Sequence, residues 1–514
     1  MLHGATPTTY VPTPADVWGL GIAIVGGGQY YGWNVGLAAG TVSFGLGVVV
    51  MGTAYVCLVL SLAEIASALP FAGGVYGLAR CTLGFYLGFL MGCCEILEYT
   101  MYATCGAVSV ARMVAAHGAW LMPFEPLMWA VTYAALVALL RVGGRHFWRC
   151  NVVLTMTSLV VIFLYLMSGV SYANLPVHSG GADYMVVGGA VQFLRSLPHA
   201  AWFYSGIEAV NTFANDVPDP KRIIPLGQLT SLFTLLATSA SVYLTCISFP
   251  PGVASLPRAV LALNGGFSTS FNVTEPTAML ISLPATIATM PGLILAASNI
   301  LAALARSKLI PPLLAHRHPT YKTPCHAIYV TVLVSFAPCF FSHFVDGFES
   351  TMYHVGMAFG FVSYIAQCVS YIYLKRRHQL LKRQFLSPVG VPGAIFAIGV
   401  FGMSMVSILF CQNDSLPCLG LCAAIVVVKS LYYHWIARHR QMFSTEERAL
   451  LFFAHLAKQK HEAKRPVQRW HYRLKATQWG PQWRGTFSSK VQSIVPTHHD
   501  PRLNNRITPL PTLP

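Results

Sequence analysis

The sequence predicts an all-α integral membrane protein with about twelve transmembrane helices. Three observations carry this. Of its 514 residues 55% are hydrophobic and only 10% are charged, against about 25% charged in a soluble globular chain. Mean hydropathy is +0.56. The apolar residues also gather into segments long enough to cross a bilayer, which takes about 20 residues per helix. Spans are expected near 17–39, 43–69, 84–113, 126–141, 150–171, 191–214, 224–249, 278–305, 325–342, 351–374, 393–411 and 416–436. This gives three regions: a short N-terminus over 1–16, a twelve-helix domain over 17–436 and a basic tail over 437–514. Residues 1–16 contain no Lys or Arg and the first apolar segment is of spanning length, so it is expected to remain as an anchor rather than be cleaved.

Charge sets the expected orientation. With the N-terminus in the cytoplasm, 15 Lys and Arg fall in inner loops, while the outer side carries only Arg112, Arg195 and Arg258. Such an asymmetry orients membrane proteins, with the basic side inward. Both termini are therefore expected in the cytoplasm, in a multi-pass protein of the plasma membrane. The sequons at Asn272 and Asn413 fall in the outer loops on this arrangement. Net charge is +16, and the tail from Arg438 holds 14 Lys and Arg against 4 Asp and Glu. Ser444-Thr-Glu-Glu447 has capping-box spacing ahead of the apolar stretch 449–456. A short helix near 445–463 is expected at the membrane surface, where the basic tail meets anionic lipid headgroups. The 13 cysteines show no metal-ligand spacing and read mainly as small core residues. Cys411 and Cys418 flank a short outer loop, and a bond between them is the less favoured reading. No phosphate-binding loop, metal cluster or nucleophile-and-base pair is visible. Neither an enzyme nor an ATP-driven pump is expected, and no nucleic acid partner.

The first span carries Gly26, Gly27 and Gly28 near its middle. Each costs a helix interior about 1 kcal/mol relative to Ala. Gly28, Gly32, Gly36 and Gly40 make a packing face at four-residue intervals, but that leaves Gly26 and Gly27 unexplained. The triplet is read as an unwound hinge in a broken helix, tolerated at membrane depth only where it lines a cavity or is buried in protein. In the third span Glu95 and Glu98 share a face, with Tyr99 beside them and Tyr102 one turn on. Charges at this depth cost about 2.5–3.5 kcal/mol each on insertion scales, so this pair is a candidate ammonium site or proton carrier. The sixth span repeats the theme of the first in Tyr204-Ser205-Gly206-Ile207-Glu208. Gly206 is expected to open a second hinge. Ser298 and Asn299 in the eighth span either coordinate a cation or bond a neighbouring helix. Glu64 is read as a loop anchor. Two broken helices five spans apart match an inverted repeat of spans 1–5 on spans 6–10.

Several of these stretches resemble the amino acid–polyamine–organocation transporters, and within them the ethanolamine permeases. Tyr30-Tyr31-Gly32-Trp33-Asn34-x-Gly36-Leu37 is similar to a motif of that branch. So are Ser61-Leu-Ala-Glu64 running on to Arg80, Glu95-x-x-Glu98-Tyr99, Phe203-Tyr204-x-Gly206-Ile207-Glu208 and Ala302-x-x-x-Ala305-Arg306. The resemblance implies a leucine-transporter-like fold, with ten core helices in a 5+5 inverted repeat and two peripheral ones. It implies a permease for a small amine or amino acid, ethanolamine among them, with no cofactor beyond a coupling proton or sodium ion. The substrate site would be lined by Gly26, Gly27, Gly28, Gln29, Tyr30, Glu98, Tyr99, Tyr102, Tyr204, Ser205, Gly206 and Glu208. Coupling would fall to Glu95, Glu98, Ser298 and Asn299. Two departures leave ion and substrate open. Gln29 stands where an acid is common in this branch, and the fifth span reads Thr155-Met-Thr-Ser158 where some members carry a Lys. A non-transporting nutrient sensor on the same scaffold is the competing expectation.

Overall fold

A computed structural model describes residues 10–448 except 346 and 380. The tail beyond 448, with most of the expected 445–463 helix, lies outside the described residues. The labelled helices are α1 (Pro14–Gly26), α2 (Thr41–Ala68), α3 (Val75–Thr82), α4 (Phe85–Ala115), α5 (Glu125–Val142), α6 (Gly144–Gly169), α7 (Gly189–Ser196), α8 (Pro220–Ser248), α9 (Leu283–Arg306), α10 (Cys325–Phe344), α11 (Phe348–Arg377), α12 (Gly390–Phe410) and α13 (Ser415–Tyr432). No strand occurs among the described residues. Nine helices among them are long and apolar enough to cross a membrane. The other three expected spans fall short of that description for visible reasons. The first and sixth are interrupted, and α4 carries Glu95 and Glu98 in its interior.

Local chemistry explains the boundaries. Thr13 caps α1 through a reciprocal box with Asp16, and Pro14 takes the first helical position, where its missing N–H costs nothing. Pro70 follows the end of α2 at Leu69 and stops that helix. The stretch between the second and third spans, read as a loop, instead folds as α3. The last span runs beyond the expected residue 436, through a short wide turn, to Arg440.

Burial separates core from rim. In α9 89% of the apolar window is buried, against 6% in the helix Ser415–Arg440, so α9 lies at the centre of the bundle and α13 at its edge. α9 packs on α4 and α1, α8 on α1 and α2, and α12 on α11. Exposed Val131, Phe163, Phe341 and Phe410 are the lipid-facing complement of that core. Among the described residues every cysteine is free, Cys411 and Cys418 included.

Polar contacts sort the connections onto two ends. At one, Glu64 is wholly buried and accepts from Tyr371 (2.8 Å), Lys375 (2.6 Å) and the Ser387 N–H (2.9 Å), so it anchors the connection after α11. Arg317 faces Asp216 there at 3.8 Å. At the other end Arg112 pairs with Glu349, and His354 with Asp414 at 2.8 Å. The first end is here called the tail end and the second the vestibule end. Each set joins connections that the charge pattern assigns to a common side.

Candidate functional site

The two interruptions define the site. α1 keeps helical dihedrals through Gly26 and Gly27 and tightens into one narrow turn over Gly27–Gln29. The chain changes direction only at Gly32, whose φ of +89° belongs to the region that favours glycine. A second tight helix, Trp33–Ala39, then completes the span. The discontinuity is therefore real, but it lies about one turn beyond the expected triplet. The triplet serves close approach instead. A Cβ on Gly28 would overlap the carbonyl oxygen of Trp202, and one on Gly32 would meet the Trp202 indole nitrogen at 2.5 Å. The sixth span runs from α7 into the tight helix Leu197–Phe203, breaks, and resumes as Ile207–Phe213. Its break is at Gly206, φ +94°. Each broken span is thus packed against the other at its interruption.

Three separate spaces flank this junction. A broad vestibule of ≈ 1210 Å³ opens at the vestibule end and is floored by Tyr31, Trp202 and Tyr353. Trp202 stacks on Tyr353 with centroids 4.4 Å apart, and Tyr31 and Tyr102 approach it at 5.7 and 5.5 Å. Beneath this aromatic floor lies a small cavity lined by Gly28, Tyr102, Trp202, Ser205, Thr289 and Leu293. Towards the tail end, a narrow space of ≈ 60 Å³ reaches Glu95, Glu208 and Asn211, with Cys81 at its wall.

The structure divides the candidate residues among these places. Gly28, Tyr102 and Ser205 meet at the small central cavity, and Ser205 also shares a hydrogen bond of 3.0 Å with Tyr55. Gln29 turns away, its amide donating to Thr238 at 2.7 Å on α8. Tyr30 also turns away and donates to the Ser158 carbonyl at 2.6 Å. A Cβ on Gly26 would meet only Ile22, and one on Gly27 would face Thr289 on α9. Tyr204 packs on Tyr55 rather than lining the cavity. Expecting Gln29, Tyr30, Gly26 and Tyr204 at the cavity treated neighbours in sequence as neighbours in space. On a tight helix, successive residues point roughly a third of a turn apart.

The acids form a separate group. Glu95 accepts from the Val75 N–H at 2.8 Å and the Gln367 amide at 3.0 Å, which ties the start of α3 to α11. Glu98 accepts from the Tyr364 hydroxyl, while its second oxygen has no hydrogen-bond partner. Glu208 is 1% exposed. Tyr99 and Tyr364 lie near enough to interact with it, yet no aligned hydrogen bond satisfies either of its oxygens. Backbone N–H groups at Gly206 and Glu208 also face it. Ser298 donates to Ile294 on its own helix and Asn299 to the Thr212 carbonyl of the sixth span, at 2.6 and 3.2 Å. Both act there as helix-bonding groups. Tyr31, Trp202, Tyr353 and Thr289 were not among the expected residues. Aromatic residues beside each glycine break were the available signal for the first two.

A small gap between two interrupted helices, under an open vestibule, in a bundle of membrane-spanning length, is an arrangement suited to a membrane transport protein. The chain belongs to the amino acid permease family, whose model matches residues 8–427. It is similar to an uncharacterized transporter of Rhizobium meliloti, 28% identical over 63% of this chain and 70% of that one. It also resembles the methylthioribose transporter of Bacillus subtilis, 24% identical over 68% of this chain and 78% of that protein. A branched-chain amino acid permease of the same species is 26% identical over 60% of this chain and 70% of its own. The chain is accordingly a transporter of amino acids or related compounds.

Proposed function

We propose that the chain carries a small amine or amino acid across the membrane by alternating access, with the substrate taken up beside Gly28, Tyr102 and Ser205, where the present gap of ≈ 10 Å³ widens as the spans part. The observation that carries this reading is the meeting of both interrupted spans at that one cavity. The carbonyl end of α1 lies there, and the negative end of a helix dipole suits an ammonium group. The aromatic floor covers the site from the vestibule, and rings around a cation supply further attraction. Glu98 and Glu208 carry the balancing charge or the coupled proton. Ser298 and Asn299 spend only their hydrogens on helix contacts, which leaves their oxygen lone pairs for a cation, so the coupling ion is a proton or sodium. The relatives' printed substrates, methylthioribose and branched-chain amino acids, differ enough that substrate identity rests on the cavity. Ethanolamine is the first compound to try.

The test is uptake of labelled ethanolamine into proteoliposomes, in competition with amino acids and polyamines. Accumulation that one group of compounds abolishes supports the reading. Binding without accumulation would favour a sensor on this scaffold. The proposed orientation, with both termini in the cytoplasm of a cell whose plasma membrane holds the protein, predicts that cysteines placed at 250–275 label from outside.

A further inference from the structure

The tail end of the bundle is crossed by a segment that substrate handling does not use. After Arg440 the chain turns back over the bundle, and the Met442 N–H donates to the Ser307 carbonyl at 2.9 Å. The expected capping box forms: the Ser444 N–H donates to Glu447 at 2.8 Å, and the Glu447 N–H to the Ser444 hydroxyl at 3.2 Å. This start of the segment is docked on protein, where a helix at the membrane surface was expected.

Two adjacent carboxylates then face different parts of the molecule. Glu447 points inward, accepting from Arg80 of α3 at 2.8 Å and from the Ser307 hydroxyl at 2.8 Å. The side chains of Arg80 and Glu447 are only 2% and 1% exposed. The Arg80 guanidinium lies over the rings of Phe85 and Phe443, 5.1 and 5.0 Å from their centroids, and also donates to Tyr76 and the Met442 carbonyl. Such a socket is far more than a helix cap requires. Removing one partner of a buried pair leaves an uncompensated charge, so the socket holds the segment firmly. Glu446 points the other way. It accepts from Asn215 at 3.1 Å and from Arg306 at 3.3 Å. Asn215 lies two residues beyond the second half of the broken sixth span, and Arg306 ends α9. The segment therefore bridges α3 and α9 to the sixth span, across the end of the bundle that houses the narrow space lined by Glu208 and Cys81.

We propose that residues 441–447 form a clasp that holds the tail end shut. Opening at that end requires Glu446 to part from Asn215 while Glu447 stays in the Arg80 socket. The clasp builds on the transport reading, but it can be measured without transport. Cys81 is half-buried and lines the narrow space, so its reactivity reports opening. Full-length protein in lipid nanodiscs is treated with N-ethylmaleimide, and Cys81 alkylation is followed by peptide mass spectrometry. Glu446→Ala, which keeps both cap and socket, should raise the Cys81 rate about threefold, as expected for loss of partly exposed pairs. Asn215→Ala should match it from the opposite side. Glu447→Gln, which preserves the capping box, should raise it about tenfold or more. Should Glu447→Gln not fold, the first two variants decide. Wild-type Cys81 rates in both Glu446→Ala and Asn215→Ala would overturn the clasp. A wild-type protein that moves no solute would count against the transport reading alone and leave the labelling comparison intact.

Discussion

The three glycines after Val25 form a graded experiment on what the junction of the broken spans needs. A methyl group at Gly26 meets nothing nearer than Ile22 at 4.0 Å. At Gly27 it meets the Thr289 methyl at 2.6 Å and the Ala285 carbonyl at 3.3 Å, and at Gly28 it overlaps the Trp202 carbonyl. None of the three has a positive φ, so each substitution is limited by space rather than by backbone freedom. Gly26→Ala gains helix propensity and should stabilise by up to about 1 kcal/mol. Gly27→Ala makes Thr289 move. Its hydroxyl is bonded to the Thr286 carbonyl at 2.9 Å, and losing that bond costs about 1 kcal/mol, so the net change is near zero. Gly28→Ala meets backbone, which cannot rotate aside, and overpacking of this kind costs about 1–3 kcal/mol. The strain falls on the contact between the two interrupted spans, so uptake should drop about tenfold for each 1.4 kcal/mol charged to the active arrangement. Melting of the purified protein and initial uptake rate are the two readouts. If Gly26→Ala proves as harmful as Gly28→Ala, the triplet is needed for flexibility and the close-approach argument is wrong. Three wild-type-like variants would mean that the broken spans do not meet as described.

Further expectations concern the floor, the acids and the vestibule rim. Trp202→Ala should weaken equilibrium binding of the transported amine about tenfold, since it removes the stacked pair with Tyr353 and joins the cavity to the vestibule; unchanged affinity by direct binding would place the substrate elsewhere. Glu98→Gln and Glu208→Gln should reduce uptake more than melting temperature. Lost binding would mark a substrate contact, and retained exchange without pH-driven accumulation would mark a proton carrier, whereas full accumulation in both variants would make the acids structural. At the rim, burial raises the Asp414 carboxyl, but the hydrogen bond and charge of His354 outweigh it and hold it below its ordinary 3.8. A carboxyl depressed in the folded state contributes stability above its unfolded value and loses it as pH falls through the folded one. Wild type should therefore out-melt Asp414→Asn at neutral pH, and the two should converge only below about pH 4; a constant difference down to pH 3 would refute the pairing.

Much of this arrangement was legible in the residues because hydropathy and glycine placement are local signals. The interruption at Gly206 was read from one glycine amid bulky neighbours, and it stands there with φ +94°. The interruption of the first span was read about one turn early, because three adjacent glycines outweighed the single Gly32 that carries the positive φ. A glycine triplet reports either free backbone or missing volume, and only a neighbour in space tells which. Glu64 was legible as an anchor because it lies at the inner end of a span, although its basic partners, Lys375 and Arg383, are far off in sequence. Glu95 was not: its partner is the start of α3, a helix hidden in a stretch that reads as loop. The aromatic floor was harder still. Its members come from positions 31, 102, 202 and 353, and nothing periodic connects residues so far apart.

The aromatic floor has a consequence for throughput. Among the described residues, vestibule, central cavity and tail-end space are three separate volumes. A solute cannot diffuse straight through as an ion does in an open pore. On the proposed alternating-access reading, each passage has to wait for stacked rings and packed helices to rearrange, and collective motions of that kind take microseconds to milliseconds. The ceiling on flux is thus roughly 10³ to 10⁶ molecules per second per protein, whatever the concentration outside. A cell that needs more must make more copies of the protein.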